Sequence, residues 1–143
     1  MKGDSGMADI ELKLLIGLHR VCNEIDRRSS QIFAQYGLSL GQFAVLEVLY
    51  HKGNLSVGEV QKKILSTSGT IPVIVNNLTK RGLVERLTDV DDKRKCILHI
   101  TEEGKKLMRE VFPKNKTTII DSMSNWSDEE KNKILKILKK FER

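Results

Sequence analysis

The 143-residue chain has few cysteines, no long apolar run and none of the short motifs that mark common enzyme classes. Cys22 and Cys96 are far apart and lack the spacing of metal ligands, so we expect free thiols in a reducing compartment. No apolar stretch approaches the roughly 18 residues that a membrane span requires, and no secretory signal is visible. These absences predict a cytoplasmic protein without membrane contact. The lack of GxxxxGKS/T, HExxH and GxSxG motifs argues against an enzyme, and nothing predicts a cofactor or a metal site.

The composition is that of a globular protein with a small excess of positive charge. Apolar residues make up 39% of the chain and charged residues 31%, and the formal net charge is +6. A chain of this length fits one domain, and a basic surface suits a polyanionic partner such as nucleic acid.

Helical periodicity dominates the first third of the sequence. Apolar residues recur every three or four positions from Ile10 to Tyr36, which predicts one long amphipathic helix that ends at Gly37. Capping boxes, in which a serine and a Glu or Gln three residues later satisfy free backbone amides, begin at Ser39, Ser56 and Ser127. Each predicts the start of a further helix.

The pattern then changes to the period of two that is typical of strands. Residues 83–87 and 96–100 predict two paired strands, joined by a turn at residues 89–95. Another helix is predicted from Thr101, and Pro113 is expected to kink or interrupt it because proline removes an internal hydrogen bond. The chain is therefore expected to be mainly α with a small β-hairpin wing, an α+β fold.

The helix between residues 70 and 81 has an exposed side that suits close contact with base edges. It follows a small polar turn at residues 66–69. Its exposed residues are short, or polar without charge: Ser68, Thr70, Pro72, Val73, Asn76 and Asn77. Asparagine can bind adenine with two hydrogen bonds, and small hydroxyls or methyls suit mixed contacts in the major groove. The alternative is that these residues only solvate a surface helix.

Charge is concentrated around the predicted hairpin. Residues 61–95 hold eight cations against four acids, and the cations are Lys62, Lys63, Lys80, Arg81, Arg86, Lys93, Arg94 and Lys95. A basic wing beside a helix-turn-helix can neutralise phosphates while an arginine enters the minor groove. Asp92 is well placed to bind Arg94 and fix its direction. We therefore predict contact with double-stranded DNA rather than a solvated charge run.

The terminal helices predict self-association. A winged helix-turn-helix needs only residues 39–101, whereas the helices at 10–37 and 102–143 carry more apolar surface than that lobe can cover. A homodimer that interlocks these dimerisation helices would present two reading helices to a pseudo-palindromic site. We thus expect a single domain at residues 10–143, preceded by a disordered segment at residues 1–9.

Three linked segments resemble the MarR family of bacterial winged-helix transcription regulators. They are Arg81-Gly-Leu-Val-Glu-Arg86, Asp92-Lys-Arg94 and Ile100-Thr-Glu-Glu-Gly104, in which Ile100 replaces the usual leucine. The resemblance covers residues 10–141. It implies a homodimer that usually represses transcription and is released from DNA by small phenolic or oxidising compounds. Carried over by position, it places DNA contacts at Ser68, Thr70, Pro72 and Asn76, with Arg94 in the minor groove and Asp92 orienting it.

Two subgroups of the family share features with the chain. Residues 43–53, 63–65 and 112–113 resemble the quinone- and catechol-responsive regulators, and Ser68-Gly-Thr70 also resembles the organic-peroxide sensors. A phenolic or quinone effector is expected between the dimerisation helices and the DNA-binding lobe, near His19, Cys22, Phe43 and Tyr50. Cys22 is either a redox switch or a packed helix residue. A winged helix can also serve only protein–protein interaction, and this alternative predicts little DNA affinity.

Overall fold

The computed structural model describes residues 9–64 and 70–142. Its elements are α1 (Ile10–Ala34), α2 (Leu40–Lys52), β1 (Leu55–Ser56), α3 (Val57–Lys63), α4 (Ile71–Lys80), β2 (Val84–Thr88), β3 (Cys96–Ile100), α5 (Glu102–Ser122) and α6 (Asp128–Phe141). This mainly helical fold with one small sheet confirms the predicted fold class. The segment expected to be disordered, residues 1–9, lies outside the described residues except for Asp9, and so does the predicted turn at 66–69.

Side chains cap most of the helix starts as the sequence predicts. Ser39, Ser56 and Ser127 each accept a hydrogen bond from the backbone amide three residues later, and the Gln or Glu at that position accepts one in return. The Thr101 hydroxyl accepts from the Gly104 amide at 3.1 Å and so begins α5. These local bonds satisfy amides that would otherwise lack partners, which fixes where each helix begins.

The hairpin is part of a three-stranded antiparallel sheet with the order β1–β3–β2. β2 and β3 form the predicted pair, in register from Val84 opposite Ile100 to Thr88 opposite Cys96. The short strand β1, which pairs with β3 through Leu55 opposite Leu98, was not predicted. Two residues are too few to show an alternating pattern, so this strand is defined only by its pairing.

Pro113 does not interrupt α5, so of the two predicted outcomes, a kink or an interruption, the interruption is wrong. The helix is continuous from Glu102 to Ser122 with Pro113 inside it. Proline in a helix interior costs about 3 kcal/mol. Here the side chains of Met108, Val111 and Asn115 are buried on both sides of it, while Pro113 itself is exposed. Packing on either side of the proline therefore holds the helix together across the missing hydrogen bond.

The hydrophobic core lies within the central lobe and under the C-terminal part of α1. Its fully buried side chains come from α1, α2, α3, α4, the sheet and the first half of α5: Phe33, Val45, Leu46, Leu49, Val60, Val75, Leu78, Val84, Leu98, Met108 and Val111. Phe33 stacks on Phe43 with ring centroids 4.1 Å apart. This core fixes α4 and the sheet relative to each other.

The terminal helices leave apolar side chains exposed in the single chain. We call them the terminal apolar surface, and its members are Ile10, Leu12, Leu14, Leu15, Ile16, Leu18, Val21, Ile120, Leu135, Ile137, Leu138 and Phe141. α6 buries none of its described residues, and α1 buries only Ser29 and Phe33. In the described part of the chain, no helix is both long enough and apolar enough to cross a membrane.

Candidate nucleic-acid interface

The helix α4 has one buried and one exposed side, as its sequence predicts. Ile71, Ile74, Val75 and Leu78 are buried in the core. The opposite side, which we call the reading face, exposes Thr70, Pro72, Val73, Asn76, Asn77 and Lys80. The predicted contact residue Ser68 lies outside the described residues.

The residues at the start of α4 do not use side-chain polar groups to cap the helix. Thr70 occupies the position before the helix, and its side chain makes no capping hydrogen bond. Pro72 is the second helical residue, where an amide would have no partner within the helix and its absence costs little. The hydroxyl of Thr70 is thus not used by the helix itself.

The wing turn holds Arg94 by the contact that the sequence predicts. The Asp92 carboxylate accepts hydrogen bonds from the backbone amide of Arg94 at 3.0 Å and from its Nε at 3.2 Å. These bonds, the backbone one first, hold the pKa of Asp92 below its ordinary value and so favour the charged carboxylate. The Arg94 side chain is 92% exposed. Asp92 therefore holds the guanidinium at its Nε atom, while the rest of the group is exposed and can enter a DNA groove.

The remaining turn residues support the same geometry. The Asp89 amide donates to the Lys95 carbonyl at 3.2 Å, and the Asp89 carboxylate accepts from the Asp91 amide at 2.9 Å. Lys93 and Lys95 are exposed on either side of Arg94. Three adjacent cations at the tip of a short, closed turn form a compact positive surface that can contact phosphates.

Two arginines counted in the basic region are engaged by the protein itself. Arg86, predicted to contact DNA, donates from Nη2 to the Asn76 side-chain oxygen at 2.7 Å. Arg81 donates to the carbonyl oxygens of Gly37 at 2.7 Å and Tyr36 at 3.0 Å. The ammonium of Lys114 binds the hydroxyl of the same Tyr36 and lies over its ring. Arg81 and Lys114 thus connect α4 and α5 to the turn that follows α1.

The histidines have neighbours that suit structural roles. Nδ1 of His99, in β3, lies 2.8 Å from the side-chain oxygen of Asn54, the residue before β1. Its Nε2 lies 3.8 Å from the carboxylate of Glu85 in β2, so His99 connects β3 to the strands on both sides. His51 packs edge-on against the rings of Tyr50 and Phe112. Across residues 9–64 and 70–142, no group of three or more His, Cys, Asp or Glu side chains is arranged to hold a metal ion.

A groove of about 790 Å³ separates α1 from α2 and the end of α3. His19 and Cys22, two of the predicted effector residues, line it, and Cys22 is exposed. Phe43 and Tyr50, the other two, do not line it: Phe43 is buried in the core against Phe33, and Tyr50 is partly buried against His51. Their aromatic character indicated a pocket, but the turn of α2 directs Phe43 into the core.

The groove combines apolar walls with polar groups that the sequence did not single out. Leu15, Leu18, Val48 and Ile64 supply apolar surface, while Asn23, Asp26, Glu47, His51, Lys52 and Lys63 supply polar atoms. Burial raises the pKa of the Glu47 carboxyl, and nearby His51 partly opposes that rise. A partly buried carboxyl group near His51 can donate or accept hydrogen bonds with a small polar ligand.

Sequence and structure comparisons agree on the kind of protein. The family model for the transcriptional regulators SarA/Rot matches residues 27–111. The chain is 34% identical over 134 residues to the HTH-type transcriptional regulator MhqR of Bacillus subtilis, which covers 94% of this chain and 92% of that protein.

Two solved structures share the fold over almost the whole chain. A cysteine-to-serine variant of MarR from E. coli, in complex with operator DNA, has a TM-score of 0.82 at 23% identity and covers 94% of this chain and 95% of its own. The organohalide-sensing regulator RdhR-CbdbA1625, bound to 2,4-dichlorophenol, has a TM-score of 0.83 at 21% identity and covers 99% of this chain and 85% of its own.

Proposed function

The chain belongs to the MarR family of winged-helix transcription regulators, and we propose that it is a homodimeric repressor that binds a pseudo-palindromic operator and is released by a small phenolic, quinone-type or oxidising effector. Its general role as a DNA-binding regulator follows from this membership. The specific operator contacts, the dimer, the repression and the effector are the proposal.

The observation that carries the proposal is the wing. Arg94 is held by Asp92 and almost fully exposed at the tip of the hairpin, and the reading face of α4 belongs to the same rigid lobe. This arrangement matches a helix in the major groove with an arginine in the adjacent minor groove. We assign DNA contacts to Thr70, Pro72, Asn76, Lys80, Lys93, Arg94 and Lys95, and to Ser68 by sequence alone.

The terminal apolar surface supports a homodimer. Ten of its twelve large apolar side chains do not line the groove between α1 and α2, and these ten alone are a larger exposed set than a monomer normally carries. A second copy related by a two-fold axis would bury the same surface on both protomers and place two α4 helices about one DNA turn apart. Residues 10–37 and 102–143 would then form the dimer layer and residues 39–101 the DNA-binding lobe.

The groove between α1 and α2 supports effector release. It lies between a proposed dimerisation helix and the DNA-binding lobe, so a ligand there contacts both parts. Its apolar walls and the Glu47 carboxyl group suit an aromatic ring with a hydroxyl substituent. A ligand that prefers one arrangement of the two parts shifts the protein toward it and away from the DNA-bound arrangement. RdhR-CbdbA1625 binds a chlorinated phenol, which favours this ligand class.

The proposal is tested by fluorescence anisotropy of DNA from immediately upstream of the gene, compared with a scrambled sequence over a range of salt concentrations. We expect tight, steeply salt-dependent binding to the first DNA by a dimer. Equal and weak binding to both DNAs would contradict this operator and favour an interaction module. A reporter gene under the same DNA should be expressed less in the presence of the protein.

The effector is tested on the same complex. 2,4-Dichlorophenol and a benzoquinone are added in separate titrations, and release of DNA is expected for at least one of them. Cys22→Ser should abolish release by the quinone if the thiol reacts with it, and should leave release by the phenol intact. A Cys22→Ser protein that still responds fully to the quinone would show that the Cys22 thiol is not the sensor.

A further inference from the structure

Arg86 binds a residue of the reading face rather than standing free as a phosphate-binding cation. Its guanidinium donates to the Asn76 side-chain oxygen at 2.7 Å. We propose that Arg86 is a positioning residue, which fixes the orientation of the Asn76 carboxamide and thereby sets the base preference at the position that Asn76 reads. This inference rests on the proposed operator binding.

The register of the sheet places Arg86 toward α4. Arg86 lies opposite Leu98 in the antiparallel pair, and directly opposite residues share a face of the sheet. Leu98 is fully buried, so this is the core-facing side, whereas Glu85 and Leu87 belong to the other face. Because β2 is an edge strand, Arg86 lies at the margin of this face, where its exposed guanidinium binds Asn76 of α4. The contact is thus set by a strand and a helix that pack against each other.

The chemistry of the two groups permits only one orientation of the amide. A guanidinium group has only donors, and within the carboxamide only the oxygen accepts. The contact with Arg86 therefore excludes the orientation of Asn76 in which the amide is rotated by half a turn. The amide nitrogen and one lone pair of the oxygen remain available, which is the pair of groups that binds adenine N7 and its amino group. An unrestrained amide could exchange donor and acceptor, and the base preference would weaken.

A direct phosphate contact by Arg86 makes a different prediction. Loss of a phosphate contact weakens binding to all sequences alike and lowers the slope of log affinity against log salt by about 0.9 for each charge, or about 1.8 for both copies in a dimer. Loss of a positioning contact instead lowers the ratio of operator affinity to scrambled-DNA affinity and leaves the slope unchanged.

The experiment measures both quantities for the wild type, Arg86→Met, Asn76→Ala and the double variant. We expect Arg86→Met to lower the affinity ratio roughly fivefold or more, within the range of a base-edge contact, without changing the slope. The double variant should be no worse than Asn76→Ala, because both changes remove the same interaction. Three outcomes would each overturn the inference. They are a lower slope with an unchanged ratio, no change in either quantity, and independent effects of the two substitutions in the double variant.

Two further measurements distinguish a failure of the positioning role of Arg86 from a failure of the proposed operator binding. Arg86→Gln removes the charge and offers an acceptor as well as donors, so it no longer excludes the rotated amide. It should also lower the ratio, and it replaces Arg86→Met if that variant does not fold. In the free protein labelled with ¹⁵N-asparagine, Arg86→Met should move the NMR signals of the Asn76 side-chain amide more than those of Asn77. Unmoved Asn76 signals would refute the positioning contact. Equal binding of the wild type to both DNAs, with moved Asn76 signals, would refute the operator proposal instead.

Discussion

Replacement of Arg81 by methionine tests the connection between α4 and the turn that follows α1. Arg81 donates to the carbonyl oxygens of Gly37 and Tyr36, which are 44 and 45 residues away in sequence. Methionine keeps the unbranched apolar stem and removes both hydrogen bonds. Because cations stabilise the exposed carbonyls at the end of a helix, the turn after α1 loses its main polar partner from α4.

The expected loss of stability is moderate. Hydrogen bonds to a charged group contribute about 1.5–3 kcal/mol, but solvent exposure of Arg81 reduces each to about 0.5–1 kcal/mol. The two bonds together give about 1–2 kcal/mol, which corresponds to a fall of about 3–6 °C in the unfolding midpoint of a protein of this size.

The assay is thermal unfolding followed by circular dichroism at a fixed protomer concentration, since a dimer's midpoint depends on concentration. Lys80→Met is the matched control. Lys80 is the adjacent cation at the same end of α4, and within the described ranges it forms no ion pair. Equal midpoints for the Arg81 and Lys80 variants would show that the two hydrogen bonds do not hold the turn.

Three further predictions concern packing, pH and assembly. Gly104→Ala should destabilise the protein by about 2 kcal/mol or more in urea unfolding, because a methyl group would clash with the backbone carbonyl oxygen of Leu83 and lie 2.7 Å from an Ile100 side-chain carbon. Gly58→Ala, which meets no close contact, should be neutral or slightly stabilising, and equal effects of the two substitutions would contradict the packing argument. Burial raises the pKa of Glu47, so its carboxyl group makes folding less favourable as the pH rises above the group's ordinary pKa of 4.5. Glu47→Gln should therefore raise the unfolding midpoint at neutral pH but not at a pH below 4.5. A gain in midpoint that persists at acid pH would refute burial of the charge as the cause. Ile137→Glu, in the terminal apolar surface, should weaken self-association in sedimentation velocity, and an unchanged dimer would remove Ile137 from the interface.

Local signals in the sequence predicted much of the fold. The serine at each capping box is followed three residues later by the Glu or Gln that completes it, so Ser39, Ser56 and Ser127 indicate helix starts without any tertiary information. The contact of Asp92 with Arg94 was also predicted, since it joins residues two positions apart in a turn. A sequence pattern can specify such contacts because the residues that make them are only two or three positions apart.

Features that depend on packing between distant segments were missed or wrong. β1 exists only because Leu55 pairs with Leu98, and α5 continues through Pro113 because the core holds it on both sides. The internal hydrogen bonds of Arg81 and Arg86 were not predicted, because they reach carbonyl and amide groups that only folding brings near. The DNA contact of Arg86 stays a prediction. Gly104 belongs to the Thr-Glu-Glu-Gly segment that suggested the family, and its close contacts with the preceding strand explain why a glycine stands there.

The sequence also predicted the lining of the groove only in part. His19 and Cys22 lie on one side of α1 one turn apart, and both line the groove. Phe43 is buried in the core, whereas Ala44 and Val48, which lie one turn apart on the neighbouring stripe of α2, line the groove. Sequence indicated which helices form the site, but the packing of α2 against α1 decides which stripe of α2 faces the groove.

The most direct test of DNA reading by the wing compares the wild type with Arg94→Ala in binding to the upstream DNA over a range of salt concentrations. We predict an intact dimer whose affinity is severely reduced and whose salt slope falls by about 1.8, since each of the two wings loses one cation that contacts the DNA backbone. Undiminished affinity and an unchanged slope in a folded Arg94→Ala dimer would contradict the claim that this wing reads DNA.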